Sequence, residues 1–198
     1  KGGKAGVFRQ VDREESLIHL MRINLLKRME SSIHAFYLTV NSLLAQVDTL
    51  LAKVEQHQTT EIEELSIADM DFDTPEAEAL LIGNKIKVLI QDMDLAKWKQ
   101  DLQEDRYQLQ RLLEEAQAIN PTRDAKLHEL QALIRAKVTQ PINTGNRKLI
   151  IFTAFADTAA YLFQQVAPWV LAELGLHTAL VTGTGSNKCT LKGMSTHL

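Results

Sequence analysis

An uninterrupted apolar repeat early in the chain limits the folds open to this sequence more than any other feature. Residues 15–56 contain no Pro or Gly, and apolar side chains recur there at steps of three and four: Ile18, Met21, Leu25, Met29, Ile33, Phe36, Val40, Leu43, Val47, Leu50 and Val54. This period predicts one long α-helix, and Asp12 followed by Glu15 has the spacing of a helix N-cap. Such a helix would be roughly 60 Å long, so we expect it to project from a body or to pair with another long helix.

Two further helices are predicted in the middle of the chain. The first falls within residues 85–118, where Leu95, Trp98, Leu102, Leu109, Leu112 and Ala116 mark its apolar stripe, and Asn120-Pro121 ends it. Thr122 or Asp124 caps the next helix, whose inward residues are predicted to be Leu127, Leu130, Ile134 and Val138. Pro141 and the turn at residues 143–146 close that helix.

The pattern changes after residue 146, where an unbroken apolar run follows a polar lead-in. Leu149 to Phe152 reads as a buried strand, followed by a helix over about residues 157–174 and a second strand at His177 to Gly183. Pro168 is expected to kink that helix or to begin a second short one, and Gly175 is its predicted C′ residue. A strand, a helix and a strand predict a βαβ crossover, which requires a parallel sheet.

These patterns divide the chain into five segments and predict a mainly α fold with a small α/β part. We expect a tail at residues 1–14, a long helix at 15–57, an acidic mobile connection at 58–84, a helical region at 85–143 and the α/β part at 144–198. The connection carries eight carboxylates and no Lys or Arg, and like charges at this density repel. Two strands do not complete a parallel sheet, so we expect the chain to be an internal piece of a longer protein.

Composition excludes several classes of site. A net charge of -3 gives no global basic signal for nucleic acid, and the single cysteine, Cys189, excludes an internal disulfide and a cysteine-rich zinc site. We expect a reducing, cytoplasmic environment. The six histidines lack metal-ligand spacing, no phosphate loop or dinucleotide fingerprint is present, and no stretch has the roughly 20 apolar residues of a membrane span. We therefore expect no catalytic, metal or cofactor residues in this chain.

A group of cations and hydroxyls on the long helix is the first candidate binding site. Lys27 and Ser31 stand one helical turn apart, and so do Arg28 and Ser32. Hydroxyl side chains beside cations suit contact with phosphate oxygens. The alternative is an ordinary exposed helix face on which Glu30 is the counter-charge, and spacing alone favours that alternative.

A second candidate lies directly after the first predicted strand. Thr153 follows the carboxyl end of that strand, and ligands of open α/β sheets bind at this edge. Thr153 is therefore a candidate phosphate donor, whereas we expect Phe155 to pack in the core.

Four segments together resemble a known family. "RKLIIFTAFADTAAYLF" at residues 147–163 resembles the segment, usually called motif IV, that opens the second RecA-like lobe of superfamily-two helicases. "DAKLHELQALI" at 124–134 and "HTALVTG" at 177–183 are similar to the preceding helix and the next strand in the Swi/Snf-like branch. "INLLKRMESSIHAF" at 23–36 resembles a segment that follows the first lobe in large bacterial members. The order of the four segments carries more weight than any one of them.

The resemblance covers about residues 17–183 and implies a piece of an ATP-dependent DNA helicase or translocase. It implies a long helical protrusion followed by an incomplete RecA-like parallel sheet, with the remaining lobes of the same protein and DNA as partners. Matching positions make Thr153, Thr182 and Gly183 candidates for sequence-independent, salt-sensitive contacts with the DNA backbone.

The groups that hydrolyse ATP in this family have no counterpart in the sequence. The phosphate-loop Lys, the Mg²⁺-binding acids and the lobe-two arginine are missing, so ATP and Mg²⁺ are expected for the parent enzyme and not for this chain. The competing interpretation is a non-enzymatic helical module that binds another protein. It accounts equally well for the first 140 or so residues.

Overall fold

The computed structural model describes residues 10–55, 95–183 and 187–193. Over these residues the chain is mostly helical, and its elements in order are α1 Gln10–Ser31, α2 Ile33–Glu55, α3 Leu95–Gln117, α4 Ala125–Thr139, α5 Ala156–Leu174, β1 Ala179–Leu180 and β2 Lys188–Cys189. The predicted acidic connection and the start of the predicted second helix lie outside the described residues, as does most of the predicted tail. The mainly α character of the prediction is confirmed.

The chain separates into two compact units. Unit 1 consists of Lys1–Lys27 and Asn41–Arg111, and unit 2 consists of Arg28–Val40 and Leu112–Leu198. The short strip Arg28–Val40 therefore belongs with the C-terminal part of the chain, although unit 1 surrounds it in sequence. Every candidate site residue except Lys27 falls in unit 2.

The predicted long helix is interrupted at Ser32. The peptide N–H of Ser32 still donates to the carbonyl of Arg28 (3.0 Å), and its carbonyl accepts from Phe36 (3.2 Å). Its side-chain Oγ accepts from the N–H of Ala35 at 3.1 Å, the bond that an N-cap makes with the third helical residue. The helical character was thus predicted correctly, but a serine that ends α1 and caps α2 divides the helix, and α1 already begins at Gln10.

Unit 1 contains an antiparallel pair formed by α2 and α3. Leu51, Val54 and Leu102 are buried together, and burial of aliphatic side chains of this size supplies about 1.5–3 kcal/mol each. Asp48 pairs with Arg106 at 2.6 Å and Glu55 pairs with Lys99 at 2.9 Å. From the first ion pair to the second, the residue number rises by seven on α2 and falls by seven on α3. The two helices therefore run in opposite directions. The ion pairs are solvated and contribute little compared with the apolar contacts.

Unit 2 has a core made by α4 and α5. The buried residues are Leu127, Ile134, Val138, Tyr161, Val166 and Val170. Three of the four residues predicted to face inward on α4 are buried, and the fourth, Leu130, packs partly buried against them. The predicted caps are also confirmed: Asp124 Oδ1 accepts from the N–H of Leu127 at 3.0 Å, and Gly175 has the left-handed φ of 64° after α5. One helix continues through Pro168, so the predicted second short helix is absent there.

The predicted parallel strands are not shown by the described residues. Leu149–Phe152 forms no strand, and Ile150 and Phe152 are 78% and 90% exposed. At the second predicted strand, residues 177–183, β1 pairs with β2 in antiparallel register, with Ala179 opposite Cys189 and Leu180 opposite Lys188. A strand requires a neighbour for its backbone, and a parallel strand needs cover on both faces. The described residues offer no neighbour to Leu149–Phe152, so a RecA-like parallel sheet is not shown.

One described helix bears on the expectation that no segment spans a membrane. By length and composition alone, α2 is apolar enough to cross a bilayer, with a mean hydropathy of 1.2. This is weak evidence, because core helices of soluble proteins meet the same criterion. Two carboxylates of α2, Asp48 and Glu55, are paired with cations of α3.

Candidate functional site

The two stretches singled out from the sequence meet in unit 2. Ser31 and Ser32, at the junction of α1 and α2, contact the segment that leads into α5. The Oγ of Ser31 lies 3.3 Å from Thr153 Oγ1 and 2.8 Å from Thr158 Oγ1, and the Oγ of Ser32 lies 2.9 Å from Thr158 Oγ1. We call these four residues the hydroxyl chain. Each of the three contacts joins residues more than 120 positions apart in sequence, so spacing alone gave no sign of them.

An ion pair holds the same junction beside the hydroxyl chain. Arg28 Nη1 donates to Asp157 Oδ2 at 2.9 Å, and its guanidinium lies 4.9 Å from the centre of the Phe155 ring. Asp157 is in the first turn of α5 and Arg28 is in the last turn of α1. Each charge therefore faces the helix end whose dipole it complements. The pair fastens the C-terminal end of α1 to the N-terminal end of α5.

The four candidate residues near the junction of α1 and α2 differ in how deeply they are buried. The side chain of Arg28 is 6% exposed, and Ser32 is 5% exposed. These two residues are packed inside unit 2, where Asp157 pairs with Arg28. Ser31 is partly exposed, and Lys27 is exposed but belongs to unit 1. The picture of an ordinary exposed helix face is therefore wrong for Arg28 and Ser32.

The remaining candidates line a cleft. Thr153, Thr182 and Gly183 all contribute to a cavity of about 340 Å³. Most of its other lining residues are apolar: Ile151, Phe152, Phe155, Leu162, Phe163, Val166, Leu180 and Val181. Among the residues that the structure describes, none that lines the cleft carries a charge. Thr153 belongs to both features, because its hydroxyl contacts Ser31 while the residue lines the cleft.

Neighbouring groups fix the backbone around the cleft. Thr153 Oγ1 accepts from the N–H of Phe155 at 3.4 Å, which turns the chain into α5. On the other side, the N–H of Thr182 donates to Asn187 Oδ1 at 3.0 Å. Phe155 is 6% exposed, so its predicted core position is confirmed.

Tyr161 ties the strip Arg28–Val40 to α4 and α5. Its hydroxyl donates to Asp124 Oδ2 at 2.7 Å, and its ring stacks on that of His34 with centroids 5.1 Å apart. Burial raises the pKa of Tyr161, and the hydrogen bond to the Asp124 carboxylate and its negative charge raise it further. One side chain thus joins three elements and keeps its proton.

Sequence reasoning missed Asp157, Thr158 and Tyr161. A signal existed for the first two, because an acid and a hydroxyl in the first turn of a helix are typical of a stabilised N-terminus. No pattern marked Tyr161, which lies within the apolar stripe of α5.

The arrangement offers hydroxyl groups as hydrogen-bond donors. A hydroxyl at the mouth of an apolar cleft suits contact with an anionic or carbonyl oxygen. In the described ranges, no group of three or more His, Cys, Asp or Glu side chains is placed to hold a metal ion.

Comparisons with known proteins identify no relative of this chain. No family model matches the chain, and neither the curated proteins nor the solved structures contain a match.

Proposed function

We propose that this chain is part of an ATP-dependent DNA helicase or translocase, to which it contributes a helical region and contacts with the DNA backbone. The observation that supports this most is the meeting of two separately selected stretches: Ser31 contacts Thr153, and Thr153 lines a cleft with Thr182 and Gly183. In this proposal, ATP and Mg²⁺ bind other parts of the parent enzyme, which acts in the cytoplasm.

The proposal includes a RecA-like lobe that residues 144–198 begin. Leu149–Phe152 exposes apolar side chains, and Ile151 and Phe152 line the cleft, as expected of a strand whose neighbours come from elsewhere in the parent. On this view the run becomes a buried parallel strand once those neighbours are present.

Charge limits how strongly this chain alone can hold DNA. The described part of the chain places no cation in the lining of the cleft, and Arg28 is engaged by Asp157. Each phosphate that a cation neutralises contributes about -0.9 to the slope of log affinity against log salt. Contacts made by hydroxyl and backbone groups release few counterions, so we expect weak, sequence-independent binding with a shallow slope.

The first test measures DNA binding by residues 1–198. We expect a dissociation constant on the order of 10⁻⁴ M at physiological salt, and roughly tenfold weaker binding for Thr153→Val because one hydrogen bond to a charged oxygen is lost. Fluorescence anisotropy with a labelled duplex over about 50 to 200 mM salt gives both quantities. Thr139→Val is the matched control, since Thr139 lies on α4 and bonds the carbonyl of Arg135. Equal losses in both variants, or a steep salt slope, would count against the proposed site.

ATP turnover gives a second, independent test. We expect no hydrolysis above background by the purified chain, because the groups that position and stabilise a transferring phosphoryl are missing from the sequence. A coupled assay with and without DNA measures this. ATP turnover that co-purifies with the chain and persists after a second chromatographic step would contradict the proposal that ATP binds other parts of the parent enzyme.

A helical module that binds another protein is the second candidate function. The observation that favours it is the antiparallel α2–α3 pair of unit 1, which packs Leu51, Val54 and Leu102 together. Substitutions in unit 2 separate the two candidates. Thr153→Val should leave binding to a protein partner unchanged, whereas it should weaken binding to DNA.

The exposed apolar run makes a prediction of its own. Replacing Ile150 and Phe152 by lysine should change the free energy of unfolding by less than about 0.5 kcal/mol, because both side chains are exposed. The same change should reduce self-association, since open apolar edges pair with one another. Sedimentation velocity measures this against Leu133→Lys, which alters an exposed leucine of α4 outside the run. A large loss of stability would mean that the run is packed in the folded protein.

A further inference from the structure

The hydroxyl chain has a direction that the positions of its oxygens do not reveal by themselves. Each of its four hydroxyls has one proton to donate and two lone pairs to accept with. Three contacts link the four oxygens, at 2.9 Å, 2.8 Å and 3.3 Å in the order Ser32, Thr158, Ser31, Thr153. Three protons therefore fill the links, and the fourth is left for a group outside the chain.

The buried end decides where that fourth proton lies. Ser32 is 5% exposed, and its Oγ has two neighbours: the N–H of Ala35, which is a donor, and the hydroxyl of Thr158. Its proton must go to Thr158, because a buried hydroxyl proton without an acceptor costs about 1–3 kcal/mol. Thr158, which is 3% exposed, must then donate to Ser31.

The donors of the two earlier hydrogen bonds determine the role of the Thr153 hydroxyl. Ser31 receives the proton of Thr158, and the acceptor that the structure places beside its own proton is Thr153 Oγ1, at 3.3 Å. Thr153 Oγ1 then accepts from Ser31 and from the N–H of Phe155, which occupies both lone pairs. Its own proton is the one left over, at the residue that lines the cleft.

We propose that Thr158 is a positioning residue that makes Thr153 a donor, and never an acceptor, toward a ligand oxygen in the cleft. The inference deepens the proposed function and rests on it for the ligand: the chemistry selected is a phosphodiester oxygen, which accepts and does not donate. A group that itself needs an acceptor finds no free lone pair on Thr153.

The direction is tested by NMR without any ligand. The buried Thr158 hydroxyl proton should exchange slowly with water and show its nuclear Overhauser effects to the β protons of Ser31. Stronger effects to the β protons of Ser32 than to those of Ser31, or exchange too fast to observe the proton, would overturn the proposed direction. Neither result depends on DNA.

The role in binding is tested by substitution at Thr158. Thr158→Val should weaken duplex DNA binding by roughly two- to tenfold, the equivalent of one neutral hydrogen bond, because Thr153 then becomes free to donate to Ser31. Thr158→Ser keeps the hydroxyl and should bind as the unaltered chain does. Equal binding by both variants would overturn the positioning role.

The two hypotheses fail in different ways. An unaltered chain that does not bind DNA at low salt would refute the proposed function and the phosphodiester ligand. The direction of the hydroxyl chain would still be decided by NMR.

Discussion

Replacing Asp157 by alanine is expected to lower the free energy of unfolding of unit 2 by about 3 kcal/mol. The carboxylate faces a guanidinium whose side chain is 6% exposed, and removing one partner of a buried pair costs about 3–5 kcal/mol. Asp157 itself is 41% exposed, so solvent screens part of the interaction and the lower end of that range applies. The loss of a negative charge from the first turn of α5 acts in the same direction.

Trp169 provides the signal for this measurement. The chain has two tryptophans, Trp98 in unit 1 and Trp169 beside the core of unit 2. In a Trp98→Phe background, urea unfolding followed by fluorescence therefore reports on unit 2. Glu173→Ala is the matched control on the same helix, where it breaks an exposed pair with Arg135. We expect the control to cost less than about 1 kcal/mol, and equal losses would refute the importance of the buried pair.

Tyr161→Phe is expected to cost about 2 kcal/mol at pH 7. The substitution keeps the ring that stacks on His34 and removes the proton donor of Asp124. Asp124 is 9% exposed, and hydrogen bonds to charged groups contribute about 1.5–3 kcal/mol. Urea unfolding in the same fluorescent background measures the loss. Tyr107→Phe, at an exposed tyrosine of α3, should have almost no effect.

The difference between the unaltered chain and Tyr161→Phe should also depend on pH. Folding raises the pKa of Tyr161 above its ordinary value of 10.0, so the unfolded chain loses this proton first as the pH rises. The stabilisation by Tyr161 is fully present below about pH 10 and declines above it by up to about 1.4 kcal/mol per pH unit. Unfolding at several pH values between about 8 and 11 tests this. A constant difference across that range would contradict it.

Local signals predicted the helical part of the fold well. The cap at Asp124, the stop at Gly175 and the inward face of α4 each depend on residues within a few positions of one another. Leu149–Phe152 shows the limit of such signals: its composition is that of a strand, but a strand exists only when another segment supplies hydrogen bonds. The described residues supply none, so the run forms no strand.

The candidate site was predicted in its parts and not in its assembly. Ser31, Ser32 and Thr153 were chosen for their chemistry, and the structure brings them into contact. The partner of Arg28 was not foreseen, because Glu30 is close in sequence whereas Asp157 is 129 positions away. Periodicity describes which face of a helix is apolar, and it contains no information about which distant element covers that face.

The strip Arg28–Val40 is far in sequence from the rest of unit 2, and this affects the order in which the unit folds. Closing a loop of this length costs about 4 kcal/mol of chain entropy, so the local contact between α4 and α5 should form before the strip docks. Synthesis at about 5–20 residues per second leaves the strip waiting on the order of ten seconds for Asp157 to be made. During that interval Arg28, Ala35 and Val40, all buried in the finished unit, have nothing to pack against. A nascent chain of this design therefore leaves these side chains exposed until α5 is complete.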